Sequence, residues 1–251
     1  MEIINSTQNK RIKERAKLLK KKSRDNTHLF LIEGFHLIQE AEKAHALKEV
    51  YLLDGLENPT HLEPIYCSQN VLNKLSHQKS DAQIIGVCQK QNEPIQDCEV
   101  ALFLDCVQDP GNVGTILRTA YSFGVDCVYL SKDCADVYNP KTIQSTKGAL
   151  FHIPFVYTDL KTTIQAFQKE GMEVYATALH HESIGLQDCH PKKQYGLIVG
   201  NEGQGIKEEL IQCANQTVFI EMEQFESLNV AIATAIALYT CQHAKEGLTV
   251  K

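Results

Sequence analysis

The chain lacks the short signatures by which several protein classes are recognised. None of its nine cysteines stands in a C-x-x-C pair, and the total is odd. Cysteines at 67, 88, 98, 106, 127, 134, 189, 213 and 241 are too scattered for a secreted disulfide framework or a zinc ribbon. They read as reduced, mostly buried thiols. The ten histidines include no H-E-x-x-H or comparable ligand spacing, and no metal site is expected. A basic, polar N-terminus without an apolar stretch argues against a secretory signal. The most apolar run, Val230 to Tyr239, is half of the roughly 20 residues that a membrane span needs. A buried helix, no membrane association and a cytoplasmic setting are the expectations. Internal repeats and low-complexity tracts are absent as well.

What is present is an ample core and an uneven charge. With 251 residues and 43% apolar content, the chain can fill one large or two small domains. The net charge is −6, yet residues 1–25 carry nine Lys and Arg against three acidic residues. That stretch is therefore +6 and the remainder −12. Such asymmetry points to a polyanionic partner, with Lys10, Arg11, Lys13, Lys17, Lys20 and Lys21 as candidate contacts. A merely solvated basic helix is the plainer alternative.

Ser6 to Asn9 offers helix-capping chemistry, and the spacing of Ile12, Ala16 and Leu19 predicts one helix over 10–22. Short apolar runs at 30–32, 49–53, 65–67 and 83–88 read as strands, with helices over 35–46 and 69–76. Together they make a small α/β/α unit. The polar, proline-broken run 89–94 is the best linker, giving domains of 1–92 and 97–251. In the second domain, strands are predicted at 100–104, 128–130, 151–155, 173–178, 197–199 and 218–220. Helices over 115–123, 160–170 and 230–239, and one running from Asn139-Pro140 to Gly148, alternate with them. This order implies a mainly parallel sheet covered on both faces.

Three polar turns follow strands of that sheet. The first, Asp109-Pro110-Gly111-Asn112-Val113-Gly114, leads to Arg118. Its glycines form G-x-x-G without G-x-G-x-x-G or a Walker lysine, so a dinucleotide-dependent oxidoreductase is disfavoured. Arg118 stands among Ile116, Leu117, Ala120 and Phe123, as either a structural ion pair or an anion binder. The other turns are Gly200-Asn201-Glu202-Gly203-Gln204-Gly205 and Glu226-Ser227-Leu228-Asn229. Glu202, Ser227 and Asn229 can each be a helix cap. Three such turns at three strand ends favour a ligand crevice.

In order, these segments resemble the three signature motifs of the SpoU/TrmH family, S-adenosylmethionine-dependent RNA 2′-O-ribose methyltransferases. Ser145, Gly148-Ala149 and Pro154 resemble the segment between the first two motifs. Asn9, Lys13, Phe30 and Glu33-Gly34 are similar to the family's N-terminal substrate-binding domain, a small ribosomal-protein-like RNA module. The resemblance spans the second domain nearly end to end. It implies a SPOUT fold, whose parallel sheet threads its C-terminal part through a deep trefoil knot against the usual rule. It also implies a homodimer through the C-terminal domain and an RNA substrate, ribosomal in preference to transfer RNA.

Carried onto this chain, the resemblance makes Arg118 the catalytic arginine, with Asn112, Glu202, Ser227 and Asn229 as further functional positions. Cofactor contacts would come from Thr177, Ala178, Leu179, Gly200, Asn201, Gly203, Ile220, Met222 and Leu228. One departure stands out. Where the family usually has Ile-Pro-Met and a glycine, this chain has Ile220-Glu221-Met222-Glu223-Gln224-Phe225, one residue shorter. A non-catalytic RNA-binding relative is therefore the rival class.

Overall fold

In the computed structural model the described residues are 3–78, 81–90, 97–179, 182–201, 203–224 and 227–244. The chain divides into two compact units, Met1–Asn92 with Asp136–His152, and Glu93–Ala135 with Ile153–Lys251. Linker positions 91–94 lie outside the described residues. Among those described, no helix is long and apolar enough to cross a membrane.

The first unit opens with α1 (Lys10–Ala16), capped by Asn9, whose Oδ1 accepts the Arg11 N–H at 2.9 Å. The basic stretch is not the single helix its spacing predicts. A 3-10 turn (Lys17–Leu19) follows, and Lys20 is extended before α2 (Lys21–Thr27). This break buries Leu18 and leaves Leu19 only partly covered. Then come β1 (Leu29–Glu33), α3 (Phe35–Lys43), β2 (Leu47–Leu53), β3 (Ile65–Cys67), α4 (Gln69–Leu75) and β4 (Ile84–Gln89). The sheet order is β1-β4-β2-β3, with β4 antiparallel to β1 and β2, and β3 parallel to β2. Leu31, Ile85 and Val87 pack with Ile12, Val71 and Leu72. Ile38 of α3 packs against Gly86, where an added Cβ would lie 2.6 Å from its Cδ1.

The remaining elements are β5 (Val100–Leu104), α5 (Pro110–Ser122), β6 (Cys127–Leu130), α6 (Pro140–Thr146), β7 (Phe155–Tyr157), α7 (Leu160–Lys169) and β8 (Glu173–Thr177). They end with β9 (Ile184–Gly185), β10 (Tyr195–Val199), α8 (Glu208–Ile211), β11 (Gln216–Phe219) and α9 (Val230–Ala244). Seven strands form one sheet in the order β7-β6-β5-β10-β8-β11-β9, every neighbouring pair parallel. Strands β5 and β10 are buried throughout, as strands covered on both faces must be. Register places Leu104 beside Val199, Ile198 beside Ala176, and Val218 beside Thr177. The carboxyl ends of four strands therefore line up, and the turns after them open at one edge.

Sequence pattern and structure differ at three places in these elements. Helix α5 starts at Pro110, not at Thr115, because Asp109 caps it and proline suits a first helical position. Residues 151–155 do not form a strand. Ala149–Phe151 is a 3-10 turn after Gly148, and β7 begins only beyond Pro154, which has no N–H for a ladder. Helix α9 runs to Ala244 and is buried on one side only, through Val230, Ala231, Thr234, Ala237, Leu238 and Cys241. Its other side leaves Ile232 53% and Tyr239 54% exposed, with Ile236 between them.

The segment 136–152, helix α6 included, belongs to the first unit by its contacts. Arg24 is buried and donates to Asp136 Oδ2 at 2.5 Å and to the Leu18 and Leu19 carbonyls at 2.9 and 3.0 Å. The Phe30 ring lies 4.7 Å from that of Tyr138 and 6.2 Å from that of Phe151. Gln144 Nε2 donates to the Glu33 carbonyl at 2.8 Å. Losing one partner of a buried ion pair costs about 3–5 kcal/mol, so Arg24 anchors the segment.

Glu49 gathers a second charged network. Arg15 grips it in a fork at 2.9 and 2.6 Å, Arg11 lies 3.2 Å away, and the Tyr51 hydroxyl donates at 2.7 Å. Partial burial pushes the Glu49 carboxyl up, but the bonds from Arg15 and Tyr51 outweigh it and hold the group down at about 2. A depressed carboxylate stabilises the fold above its unfolded value, about 4.3, and loses that contribution as pH falls towards 2. Urea unfolding followed from pH 7 to 3 should show stability falling below about pH 4.3. The fall should be shallower in Glu49→Gln; equal pH profiles for the two proteins would remove Glu49 from the explanation.

Candidate active site

The aligned strand ends build the crevice. After β5 the chain passes through Asp105, fully buried, and Cys106, which adopts φ +54°. Asp109 then accepts the Asn112 N–H at 2.9 Å and starts α5. After β10, Gly200 lies so close to the returning loop that a Cβ would sit 2.5 Å from the Gly205 carbonyl carbon and oxygen. Only glycine fits there without moving backbone. Asn201 closes the loop, pairing with Gly205 through two backbone bonds at 3.1 and 2.8 Å. Its Oδ1 accepts the Gly203 and Gln204 N–H groups, and its Nδ2 donates to the Cys106 carbonyl at 2.9 Å. The Asn201 side chain is thus occupied in tying two turns together.

The third turn meets the first. Asn229 caps α9 through the Ala231 N–H at 3.0 Å, while its Nδ2 donates to Asn112 Oδ1 at 3.1 Å. Two predicted site residues 117 positions apart in sequence are therefore joined, and with them the beginnings of α5 and α9. Ser227 and Leu228 precede this cap, exposed and half-buried respectively. Glu202 and Glu226 lie outside the described residues. Arg118 is exposed on α5, and its guanidinium makes no ion pair among the described residues. Of the two sequence readings, the structural ion pair has no support here. No direct bond links Arg118 to Asn112 or Asn229; six residues along a helix separate the two α5 positions by about 9 Å of rise.

The predicted cofactor positions fall on the same edge. Thr177 Oγ1 donates to the Ile198 carbonyl at 3.0 Å, and the Ala178 N–H to the Val218 carbonyl at 3.0 Å. Leu179 is 80% exposed; Ile220 is half-buried, and Gly203 and Met222 are exposed. Asp105 is the group that sequence reasoning passed over as a strand end. Its Oδ2 accepts the Lys207 N–H at 2.8 Å and Lys207 Nζ stands 3.7 Å from its Oδ1, so it ties the first turn to the start of α8. A buried carboxylate closing an all-apolar strand was the available signal. Among the described residues no group of three or more His, Cys, Asp or Glu could hold a metal.

In the first unit, Lys10, Lys13, Lys17, Lys20 and Lys21 are all exposed. Arg11 differs, since it pairs with Glu49 and lies 5.8 Å over the Tyr51 ring.

This arrangement has solved counterparts. An RNA 2′-O ribose methyltransferase superposes with a TM-score of 0.84 at 28% identity, covering 97% of this chain and 99% of that one. The AdoMet-bound rRNA methyltransferase from Sinorhizobium meliloti gives 0.85 at 26% identity, over 96% and 97%. Fold and crevice thus define a SPOUT-type methyltransferase architecture. The model of the SpoU rRNA Methylase family matches residues 99–239, and that of the MRM3-like substrate binding domain matches residues 9–86. The chain belongs to the SpoU rRNA methylase family. It is 38% identical over 245 residues to the 23S rRNA (guanosine(2553)-2′-O)-methyltransferase RlmP of Bacillus subtilis (strain 168), covering 95% of this chain and 98% of that protein. It is 29% identical to 23S rRNA (guanosine-2′-O-)-methyltransferase RlmB of Coxiella burnetii, over 92% and 88%.

S-adenosylmethionine, the family's cofactor, suits this edge. Gly200 lets the returning loop pack directly on the strand end, where a Cβ would meet the Gly205 and Ile206 backbone, and Ile220 and Leu228 supply partly covered apolar surface. Gly200→Ala should therefore displace the loop and weaken S-adenosylmethionine binding by roughly five- to a hundredfold, since relieving such overpacking costs about 1–3 kcal/mol. Titration calorimetry reads the affinity, and an unchanged far-ultraviolet dichroism spectrum confirms the fold. Wild-type affinity in the variant would contradict this role for Gly200.

Proposed function

We propose that this protein methylates a ribose 2′-hydroxyl in ribosomal RNA, with Arg118, Asn112, Glu202, Ser227 and Asn229 as its working residues. The observation that carries the reading is the Asn112–Asn229 bond, which brings the first and third motif turns together at the edge closed by Gly200 and Asn201. Both similar relatives named above are 23S rRNA guanosine 2′-O-methyltransferases, which favours rRNA over tRNA. In this reading residues 1–92 bind RNA and 97–251 carry the chemistry. The crossed strand order of the seven-stranded sheet agrees with a knotted C-terminal part. A homodimer in the cytoplasm fits the apolar stripe Ile232, Ile236 and Tyr239 that α9 leaves exposed.

When bound, S-adenosylmethionine supplies a methyl group already attached to a sulfonium leaving group. The protein's task is alignment and charge stabilisation. Alignment of reacting groups supplies a large share of a barrier reduction. The tie between Asn112 and Asn229 holds the crevice turns in one geometry before substrate arrives. A guanidinium is a fixed cation in proteins, so Arg118 acts as an electrostatic clamp on the substrate oxygen or the adjoining phosphate, not as a base. Stabilising charge that develops in the transition state contributes roughly 10²–10³ in rate per donor.

Arg118→Ala should lower the methylation rate by roughly 10²-fold with S-adenosylmethionine affinity unchanged. A rate within threefold of wild type would rule out the clamp. The non-catalytic rival is separated by the same titration, because a chain that binds no S-adenosylmethionine cannot be the enzyme.

The exposed lysines give a second test. Deleting residues 1–24 would remove Ile12 and Leu18 from the core, so the charges should be changed instead. Replacing Lys10, Lys13, Lys17, Lys20 and Lys21 with Ala should weaken RNA binding. The slope of log K against log salt should fall by about 0.7–0.9 for each phosphate that the lysines no longer neutralise. An unchanged slope would assign these lysines to solvent alone.

A further inference from the structure

Within the first unit lies a cavity of about 270 Å³. Its walls include Leu31 of β1, Leu75 of α4 and Ile143 of α6, each nearly fully buried. Glu33 opens into it, with His77 and Lys141, both exposed, among its polar lining. The Glu33 backbone carbonyl is held by Gln144, and its side chain accepts one hydrogen bond, from Ser76 Oγ to Oε2 at 2.6 Å. Burial raises the Glu33 carboxyl above its usual range, and the Ser76 bond opposes this only in part. The site is thus partly dehydrated, where a hydrogen bond to a ligand is worth more than in water.

The cavity is at the small end of ligand pockets, which begin near roughly 300 Å³, and so suits one planar ring system. Leu19 also borders it, and Leu19 is flanked in sequence by Lys17 and by Lys20, Lys21 and Lys22. An apolar slot with one carboxylate, set beside a run of exposed lysines, has the chemistry of an unstacked base in a polyanion. RNA sequence is read mainly from such splayed bases, through their Watson–Crick edges. Guanine alone among the four bases offers two adjacent donors on that edge, N1–H and the 2-amino group. A carboxylate that also holds Ser76 can accept both.

We propose that this cavity is a guanine-reading subsite, in which Glu33 accepts the N1–H and 2-amino hydrogens of an unstacked guanine while Leu31, Leu75 and Ile143 cover its faces. The proposal deepens the RNA-methyltransferase reading and rests on it for the identity of the polymer. It concerns the first unit alone and leaves the methylated nucleotide to the crevice of the second.

The test uses the full-length protein with methyl-labelled Leu and Ile, titrated separately with GMP, IMP and AMP. GMP should shift the Leu31, Leu75, Ile85 and Ile143 methyl signals and bind roughly tenfold more tightly than AMP, the discrimination expected of a good bidentate pair. IMP, lacking the 2-amino group, should fall between them. Glu33→Gln should erase the preference for GMP, and excess S-adenosylmethionine should not displace it. Equal binding of GMP and IMP, or shifts confined to residues of the crevice, would overturn the subsite. The ligand series needs no variant, so it decides the matter even if Glu33→Gln fails to fold. Methyl transfer to 23S rRNA is measured alongside. Transfer without guanine preference sinks the subsite alone, whereas guanine preference without transfer sustains the subsite and sinks the methyltransferase reading.

Discussion

The bond between Asn112 and Asn229 is the constraint on which the second unit's working edge depends. A parallel sheet aligns its carboxyl ends without further help, but the turns beyond them have polar backbone and no ladder to satisfy it. Here the solution is side-chain amides. Asn201 binds two N–H groups of its own turn and the Cys106 carbonyl of another. Asn229 caps α9 while reaching to Asn112, so two packed helices begin from one hydrogen-bonded point. Asparagine is apt for this, since one amide both donates and accepts. Aspartate at 229 would lose the donor and set two acceptors against each other, whereas aspartate at 112 could still accept.

The first unit sorts its cations by chemistry. Three arginines have internal carboxylate partners: Arg11 and Arg15 hold Glu49, and Arg24 holds Asp136. Apart from Arg11, whose side chain is about half exposed, the exposed cations of the same stretch are lysines. A guanidinium's planar fork suits a partly buried ion pair, whereas an ammonium is strongly hydrated and costs more to bury. Net charge in the sequence therefore overstated the surface available to a polyanion by about a third, and it did so selectively. Lysines positioned this way attract phosphates without reading bases.

Much of this was legible in the residues. The strands β5 and β10 are uninterrupted apolar runs because both faces are covered, and that needs no knowledge of neighbours. The three turns were legible through their composition and their order. Helix starts were less so: residues 108–114 look like a turn because glycine and proline are common in turns, yet Asp109 and Pro110 are also a good helix beginning. The grouping of 136–152 with the first 92 residues was invisible. It depends on contacts such as Arg24 to Asp136 and Phe30 to Phe151, more than 100 positions apart. No local period encodes which distant segment a buried arginine will meet. Which side of α9 the chain covers was not legible for a related reason. Alanine and isoleucine on all sides give almost no amphipathic signal, so the residues alone could not say which side would be covered.

The distribution of commitments narrows where chemistry can occur. A polar group already bonded on every side to its own chain holds shape and has little left to offer a substrate. Asn201 is such a group, whereas Asp105, buried and accepting the Lys207 N–H through Oδ2, keeps its Oδ1 without a hydrogen bond. Arg118 is the opposite case. It interrupts an otherwise apolar helix segment, stays exposed and gains no ion pair among the described residues, so it contributes little to stability where it stands. An exposed cation two turns along the helix whose beginning is pinned to the crevice is what the proposed clamp on an anionic substrate requires. In the proposed mechanism pinning and exposure divide the labour: asparagines fix the frame, and the arginine is left to meet the charge that enters it.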